Sequence, residues 1–384
     1  MDTRAILERL ISFPTLSHAS NLDLIAFVCE LLEANAIPYF LIPDAQGRKA
    51  NLYASVGPLD RPGLLMSGHT DVVPVDGQDW THPPFVMTER EGKLYGRGTA
   101  DMKGFVASAL AAVIKASTMT LRSPLHLALS HDEEVGCVGV RSLIQSLKHK
   151  QPKPLLCIVG EPTSMQVATG HKGKIAARVI CRGQEGHSAR APLFLNSIHL
   201  GCDVVAVLRR EQDRLVREGA YDHAYKIPYT SVHVGTFKSG LALNIVPRIC
   251  ELEFEIRNIA AESADAILDH IRADLRGISA KAVLVAPEAA IEVDILTAYP
   301  GLDTPVQSPQ TDFVCSLVGA SRTIKVGFGT EGGLFARDAA IPTLICGPGS
   351  MEQGHAPDEF IHSAQLAQCD AMLAKVLDRA AAGF

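Results

Sequence analysis

The segment Gly68-His69-Thr70-Asp71-Val72-Val73-Pro74 follows directly after the apolar run Leu64-Leu65-Met66. An apolar run that ends in a loop with His, Asp and Pro predicts a buried strand that presents polar side chains at a sheet edge. In such a triplet one imidazole nitrogen can bind a metal ion, while the carboxylate two residues on holds the other ring N–H. Ordinary surface loops also contain His-x-Asp, so the polar segments further along the chain decide between the two interpretations.

Apolar and amphipathic segments alternate after this point. The apolar segments Leu125–Ser130 and Leu155–Val159 predict two more strands, and the segments Phe105–Lys115 and Val138–His149 predict helices between them. This alternation is typical of an α/β layer structure with a largely parallel sheet. Ligands of such sheets bind outside the carboxyl ends of the strands, where the polar clusters of this chain fall.

The pattern changes in the second half of the chain. Residues Glu251–Arg257 alternate strictly between apolar and charged side chains, which is typical of an antiparallel sheet with one face in solvent. We also expect a strand at Ala282–Ala286. The sequence therefore predicts an inserted α+β sandwich domain of residues 173–298 within a discontinuous α/β domain of residues 1–172 and 299–384.

Composition excludes several classes of protein. The net charge of −6, from 36 Lys and Arg against 42 Asp and Glu, gives no basic field for a nucleic-acid partner. The nine cysteines contain no Cys-x-x-Cys pair, which argues against a thiolate zinc site and for a reducing compartment. The N-terminus does not resemble a signal peptide, and no apolar run reaches the roughly 18 residues of a membrane span. We expect a soluble cytoplasmic protein with no membrane partner.

Four further polar segments supply residues of the kind that bind divalent cations. Carboxylates with one His for each metal suit a two-metal hydrolase in which a bridging water is acidified. Each residue has an ordinary alternative: an N-cap for the Asp, a solvated acidic turn for the Glu pair and a plain loop for the last His. The candidate ligands are His69, Asp101, Glu134, Glu161 and His355.

Together these segments resemble the motif set of the zinc aminoacylase/carboxypeptidase family of di-metal hydrolases, and the match runs from the first helix to the last. The segments are Gly-His-Thr-Asp at 68–71, Gly-Thr-Ala-Asp-Met-Lys-Gly at 98–104, Asp-Glu-Glu at 132–134, Gly-Glu-Pro-Thr at 160–163 and Gly-His-Ala-Pro-Asp-Glu at 354–359.

The resemblance implies a role for each matching residue. Asp101 would bridge two cations, most often Zn²⁺ with Co²⁺ possible, and its peptide bond to Met102 is expected to be cis. His69 and Glu161 would complete one metal site, and Glu134 and His355 the other. Asp71 would orient His69. Glu133 would be the general base that activates the bridging water.

The resemblance also implies that the inserted domain is a lid and the interface of a homodimer. His187 would reach the partner's site and stabilise the tetrahedral oxyanion, and Asn244 would contact the reacting group. Arg257 would bind the substrate α-carboxylate through a bidentate fork. Its alternative is an ordinary exposed strand residue. The segment Ile256-Arg257-Asn258-Ile259 also lacks the Arg-Pro continuation of close relatives.

Three segments, Trp80–Phe85, Gly170–Gly173 and Gly347–Glu359, further resemble the family members that hydrolyse N2-acetyl-L-ornithine to L-ornithine and acetate in arginine biosynthesis. The substrate would then be a small N-acyl amino acid. Glu331 offers a negative charge for the ornithine ammonium; its alternative is a loop acid remote from the metals.

Other functions stay open. A metallo-aminoacylase or dipeptidase uses the same motifs. A succinyl-diaminopimelate desuccinylase needs a cation for the succinyl carboxylate, and its family carries an Arg where this chain has Leu334. A non-catalytic binding protein on the same fold would be expected to lack Glu133 or a ligand, and none is missing.

Overall fold

In the computed structural model, which describes residues 1–148 and 152–384, the chain divides into two compact units. The first comprises Met1–His171 and Leu302–Phe384, and the second comprises Lys172–Gly301. The predicted boundaries lie close to these. None of the helices in the described ranges combines the length and apolar character that a membrane span requires.

The helices and strands are numbered in chain order across both units. The helices are α1 (Thr3–Ile11), α2 (Leu22–Ala34), α3 (Gly104–Ala116), α4 (Val140–Leu147), α5 (Ser197–Glu218), α6 (Ala264–Val283), α7 (Pro309–Val318), α8 (Gly332–Asp338) and α9 (Ser363–Ala382). The strands are β1 (Tyr39–Pro43), β2 (Ala50–Val56), β3 (Leu64–His69), β4 (Thr88–Arg90), β5 (Lys93–Tyr95), β6 (Leu125–Ser130), β7 (Leu156–Pro162), β8 (Ala168–His171), β9 (Gly173–Arg182), β10 (Gly186–His187), β11 (Ser231–Ser239), β12 (Ile245–Val246), β13 (Ile249–Asn258), β14 (Ala290–Tyr299), β15 (Leu302–Asp303), β16 (Ile324–Val326), β17 (Thr343–Gly347) and β18 (Phe360–His362). The predicted end of α4 at His149 lies outside the described residues.

The first unit is built on a mixed sheet with the strand order β1-β2-β6-β3-β7-β17-β8-β15 and with β16 paired to β8. The central strands β6, β3, β7 and β17 run parallel to one another. The other neighbours in this order are antiparallel, whereas β16 pairs in parallel with β8. All residues of β3, β6 and β7 are buried, which is why apolar residues predominate in these strands. The prediction of an α/β fold with a mostly parallel mixed sheet is confirmed.

Helices cover both faces of this sheet. A side chain at Gly68 would contact Met102 and Val106, so α3 packs on that face of β3. Ser67 faces the other way and contacts Glu331, which immediately precedes α8. The approach of α3 is close enough that a Cβ on Gly160 of β7 would lie 1.9 Å from the ring of Phe105. The sheet and α3 therefore fix the positions of the strand ends.

The second unit contains an antiparallel sheet in the order β11-β13-β9-β14. Burial alternates along β9 and β13, and the inward side chains pack against α5 and α6. The alternation predicted for Glu251–Arg257 is confirmed. The strand predicted at Ala282–Ala286 is wrong, because α6 continues to Val283 through a sequence rich in alanine, a strong helix former.

Candidate metal centre

Three neighbouring parallel strands of the first unit deliver polar side chains to the same edge of the sheet. His69 is the last residue of β3, and Glu161 lies near the end of β7. Glu133 and Glu134 follow the end of β6 at Ser130. Since β3 pairs in parallel with both β6 and β7, the carboxyl ends of all three strands meet at this edge.

The first group of ligand atoms surrounds His69. Its Nε2 atom lies 3.0 Å from Oδ1 of Asp101 and 3.7 Å from Oε1 of Glu161. One ligand atom each from His69, Glu133 and Glu161 lie within 4.8 Å of one another, a spacing that one metal ion can bridge. His69 and Glu161 are almost completely buried.

The second group shares Asp101 with the first. Nε2 of His355 lies 3.2 Å from Oδ2 of Asp101 and 3.1 Å from Oε1 of Glu134. Ligand atoms of His69, Asp101 and Glu134 also lie within 4.8 Å of one another. The two oxygens of Asp101 therefore face different histidines, which is the arrangement expected of a carboxylate that bridges two cations. All five predicted ligands converge.

The local backbone explains why Asp101 is available for this position. It lies inside the π-helical turn Thr99–Lys103, with φ −122° and ψ 94°, so it is not the N-cap of α3. The turn starts after Gly98, whose φ of 87° favours glycine. The peptide bond between Asp101 and Met102 is cis, as predicted.

The buried carboxylates of the cluster need positive charge nearby to be stable in their ionised forms. Burial and the neighbouring Asp101 raise the pKa of Glu134 to about 7, and the same two causes raise the pKa of Glu161 well above its usual value. Oε1 of Glu161 is buried and has no hydrogen-bond partner among the described residues. Buried carboxylates without partners are costly, and a pair of divalent cations would satisfy them. The oxygen-rich donor set with one imidazole on each side fits such a pair.

The pKa values of the two histidines are also raised, which favours their charged forms. Burial alone would lower the pKa of His69, but its hydrogen bond with Asp101 and the charge of Glu161 raise that pKa well above its usual value. Hydrogen bonds with Asp101 and Glu134 raise the pKa of His355 to about 10. Without cations, therefore, protonated histidines supply the positive charge that the carboxylates need.

Asp71 acts differently from the prediction. Nδ1 of His69 is 2.9 Å from the backbone oxygen of Asp71 and 3.7 Å from its carboxylate, so the carbonyl orients the ring. The carboxylate instead accepts the backbone N–H groups of Glu133, at 3.1 Å, and Glu134, at 3.3 Å. Ser17 Oγ also donates to it at 2.8 Å. Asp71 thus ties the Glu133–Glu134 loop to the end of β3, and Glu134 is not in a solvated acidic turn.

Glu133 belongs to the first group of ligand atoms. Burial raises its pKa well above its usual value, the charge of His69 opposes this rise, and the charge of Glu134 adds to it. The thiol of Cys137 donates to Oε1 of Glu133 across 3.1 Å. A carboxyl group whose pKa responds strongly to nearby positive charge is suited to accept and return a proton.

The structure adds two residues that we did not predict as part of the site, Glu359 and Arg97. The carboxylate of Glu359 accepts the backbone N–H groups of Gly98 at 3.0 Å, Ala100 at 2.9 Å and Asp101 at 3.1 Å. Nη1 of Arg97 donates to the same carboxylate at 2.8 Å, and both side chains are 1% exposed. Glu359 therefore holds the backbone that carries the shared ligand Asp101. The Pro-Asp-Glu segment after His355 was the sequence signal.

Glu331 is further inside the unit than the ligands. It is 1% exposed, and its Oε2 lies 3.4 Å from Oγ of Ser67, two residues before His69 on the same face of β3. Burial raises its pKa to about 7. It is therefore close to the metal ligands and is not a remote loop acid.

The remaining predicted residues belong to the second unit. His187, in β10, and Asn244, just before β12, are brought together by this two-stranded pairing, and the backbone N–H of Ser188 donates to the carbonyl of Asn244 at 3.1 Å. Arg257, on β13, forms a bidentate pair with Glu255 and lies 3.4 Å from the hydroxyl of Tyr299. Its guanidinium is thus engaged within the second unit.

Comparison with known proteins identifies the family. The model of peptidase family M20/M25/M40 matches residues 65–379. The chain belongs to this family. It is 34% identical over 326 residues to an acetylornithine deacetylase from Klebsiella pneumoniae (strain 342), covering 84% of this chain and 81% of the relative. Membership of the family makes the chain a hydrolase of the M20 type.

Solved structures of M20 enzymes share the fold. The M20 metallo-carboxypeptidase Sso-CP2 from Sulfolobus solfataricus superposes with a TM-score of 0.79 at 18% identity, covering 98% of this chain and 99% of that chain. A dinuclear metal-binding M20 peptidase from Bacillus subtilis gives a TM-score of 0.70 at 14% identity, covering 100% and 98%. At these identities the likeness establishes the fold alone.

Proposed function

We propose that this M20 hydrolase binds two divalent cations, most often Zn²⁺, and hydrolyses N2-acetyl-L-ornithine to L-ornithine and acetate. The observation that carries the proposal is the convergence of His69, Asp101, Glu134, Glu161 and His355 on one shared carboxylate. The relationship to the Klebsiella deacetylase supports the choice of substrate.

The cations would be held by His69 and Glu161 on one side and by Glu134 and His355 on the other, with Asp101 common to both. When bound, such a pair supplies Lewis acidity for the acyl oxygen and lowers the pKa of a coordinated water. Co²⁺ or Mn²⁺ also suits this donor set, because selectivity depends on geometry and metal availability.

Glu133 would carry the proton through the reaction. Its carboxylate takes a proton from the attacking water and then returns it to the amine that leaves as the amide C–N bond breaks. Asp71 holds the backbone of Glu133 in place through the hydrogen bond from its N–H. The S–H of Cys137 fixes one oxygen of the carboxylate.

His187 would stabilise the oxyanion in the partner subunit's site, with a homodimer forming through the inserted domain. Its Nδ1 accepts the backbone N–H of Ala189 at 3.1 Å, so the neutral ring carries its proton on Nε2. The residue is exposed, which leaves an N–H donor at the surface of the second unit. Asn244 is exposed beside it and would contact the same reacting group.

Arg257 would bind the substrate α-carboxylate. Its present partner is Glu255, so a substrate carboxylate must compete with an existing bidentate pair. A half-buried guanidinium that already binds a carboxylate in this geometry is suited to such an exchange.

The succinyl-diaminopimelate alternative is disfavoured by Leu334. This residue is fully buried in α8 and has no charge with which to pair a second substrate carboxylate.

The proposal is tested on protein stripped of metal with a chelator and then reloaded with Zn²⁺, Co²⁺ or Mn²⁺. We expect acetate release from acetyl-ornithine only after reloading, and little succinate release from succinyl-diaminopimelate. Metal-independent turnover would contradict the metal centre, whereas a preference for the succinyl substrate would contradict only the choice of substrate.

A further inference from the structure

The side chain of Gln78 joins a metal ligand to a buried arginine. Its Nε2 donates to the backbone carbonyl of His355 at 2.8 Å. Its Oε1 accepts from Nη2 of Arg97 at 2.5 Å and from Nε1 of Trp80 at 3.1 Å. Both the oxygen and the nitrogen of the amide are thus hydrogen-bonded, so the amide group cannot rotate without losing a hydrogen bond.

Arg97 connects this amide to the rest of the centre. Besides Gln78, it donates to Glu359 at 2.8 Å and to the carbonyl of Ala356, the residue after His355, at 3.3 Å. Its guanidinium carbon lies 4.9 Å from the centre of the Trp80 ring. The Arg97 guanidinium therefore contacts both Glu359, which holds the backbone at Asp101, and Gln78, which holds the backbone at His355.

His355 needs such support more than the other ligands. Its φ of 60° lies in the left-handed region, which is unfavourable for a residue with a side chain. Its side chain is 45% exposed, whereas the side chains of His69, Asp101, Glu161 and Glu134 are no more than 8% exposed. Packing thus holds the other four ligands, while the backbone of His355 depends on its hydrogen bonds.

We propose that Gln78 is a positioning residue for the metal ligand His355, and that Arg97 holds Gln78 in place for this role. The inference rests on the proposed metal centre. It assigns to Gln78, which lies just before the segment Trp80–Phe85, a role in metal affinity.

Two variants separate the bond to His355 from the rest of the network. Gln78→Glu keeps an acceptor for Arg97 and Trp80 but has no N–H to donate, and it places a carboxylate oxygen against the carbonyl of His355. Gln78→Ala removes all three bonds. Gln212→Ala is the matched control, because the Gln212 amide likewise bonds the backbone of another segment, where its Oε1 accepts the N–H of Val232 at 2.7 Å, but it belongs to the second unit.

The readout is Zn²⁺ titration of the chelator-stripped protein against a chromogenic competitor. We expect Gln78→Glu and Gln78→Ala to weaken one of two Zn²⁺ sites by about 10- to 100-fold and to leave the other unchanged. The melting temperature of each stripped variant should fall by no more than a few degrees from that of the stripped wild type, and excess Zn²⁺ should restore turnover. Gln212→Ala should bind both ions as the wild type does.

Two results would overturn the inference in different ways. If the wild type binds two ions and Gln78→Glu binds both with unchanged affinity, Gln78 does not position His355, and the proposed function stands. If the wild type binds no pair of divalent ions, both the proposed metal centre and the proposed function are contradicted.

Discussion

Nε2 of His355 lies 3.1 Å from Oε1 of Glu134, although the two residues are 221 positions apart in the chain. The residues next to either one in the sequence do not bring the two together. The parallel strands β6 and β7 deliver the carboxylates, and the Glu359 carboxylate anchors the loop that His355 belongs to. The cluster is therefore a product of the sheet topology, and its excess of buried carboxylates makes its stability depend on pH and on cations.

The stability of the metal-free protein should fall as pH rises from about 5 to about 8. Burial raises the pKa values of Glu134 and Glu331 to about 7 from an ordinary value near 4.5. In this window the folded protein holds protons that the unfolded chain has released, so raising the pH favours unfolding. The raised pKa values of His69 and His355 act in the same direction.

Thermal unfolding in the presence of a chelator, measured across this pH range, checks the sign. Adding Zn²⁺ should raise the melting temperature more at pH 8 than at pH 5, because the ligands bind in their deprotonated forms. The variant Glu134→Gln should show a shallower decline. A metal-free protein that gains stability over the same range would contradict the protonation states inferred for the cluster.

The variant Glu133→Gln should lose turnover by about 100- to 10,000-fold while still binding two metal ions. The amide has the shape of the carboxylate but cannot take the proton from water. Turnover on acetyl-ornithine and metal content by elemental analysis are measured on the same sample. Glu30→Gln, on the exposed face of α2, is the control and should behave as the wild type. If Glu133→Gln retained its activity, the assignment of Glu133 as the general base would be wrong.

Mixing two inactive variants tests whether His187 serves the partner's site. In a mixed dimer of Glu133→Gln and His187→Ala subunits, one of the two sites would carry both defects and the other neither, so activity should return. A mixture of Glu133→Gln with the double variant should stay inactive, since every site then lacks the base. If His187 acts within its own subunit, neither mixture recovers.

The sequence could predict the ligands because each lies in a short motif, and His69 and Glu161 also lie at the end of an apolar run. It could not predict Gln78 or Arg97, because these side chains act on backbone atoms far away in the chain. Backbone acceptors leave no trace in the sequence. For the same reason the sequence predicts the carboxylate of Asp71 as the partner of His69, whereas the partner in the structure is the backbone carbonyl of Asp71.

The prediction of secondary structure was wrong where the residues favour a strand and a helix about equally. The apolar and alanine residues at 282–286 fit a short strand as well as a helix end, and only their position after the amphipathic face of α6 resolves the choice. By contrast, the strict alternation in β13 has a single interpretation, and burial follows it residue by residue.

Glu331→Gln separates recognition of the ornithine ammonium from support of the metal centre. One oxygen of Glu331 lies 3.4 Å from Ser67, and the other, Oε1, has no hydrogen-bond partner among the residues described, so it can accept a donor. If that donor is the ammonium, the variant should lose about 10- to 100-fold in kcat/KM on acetyl-ornithine, the usual range for a hydrogen bond to a charged group. N-acetyl-norvaline, which has no ammonium, should be turned over by wild type and variant alike. Equal losses on both substrates, together with weaker Zn²⁺ binding, would instead make Glu331 a support for His69 and leave the ammonium to another residue.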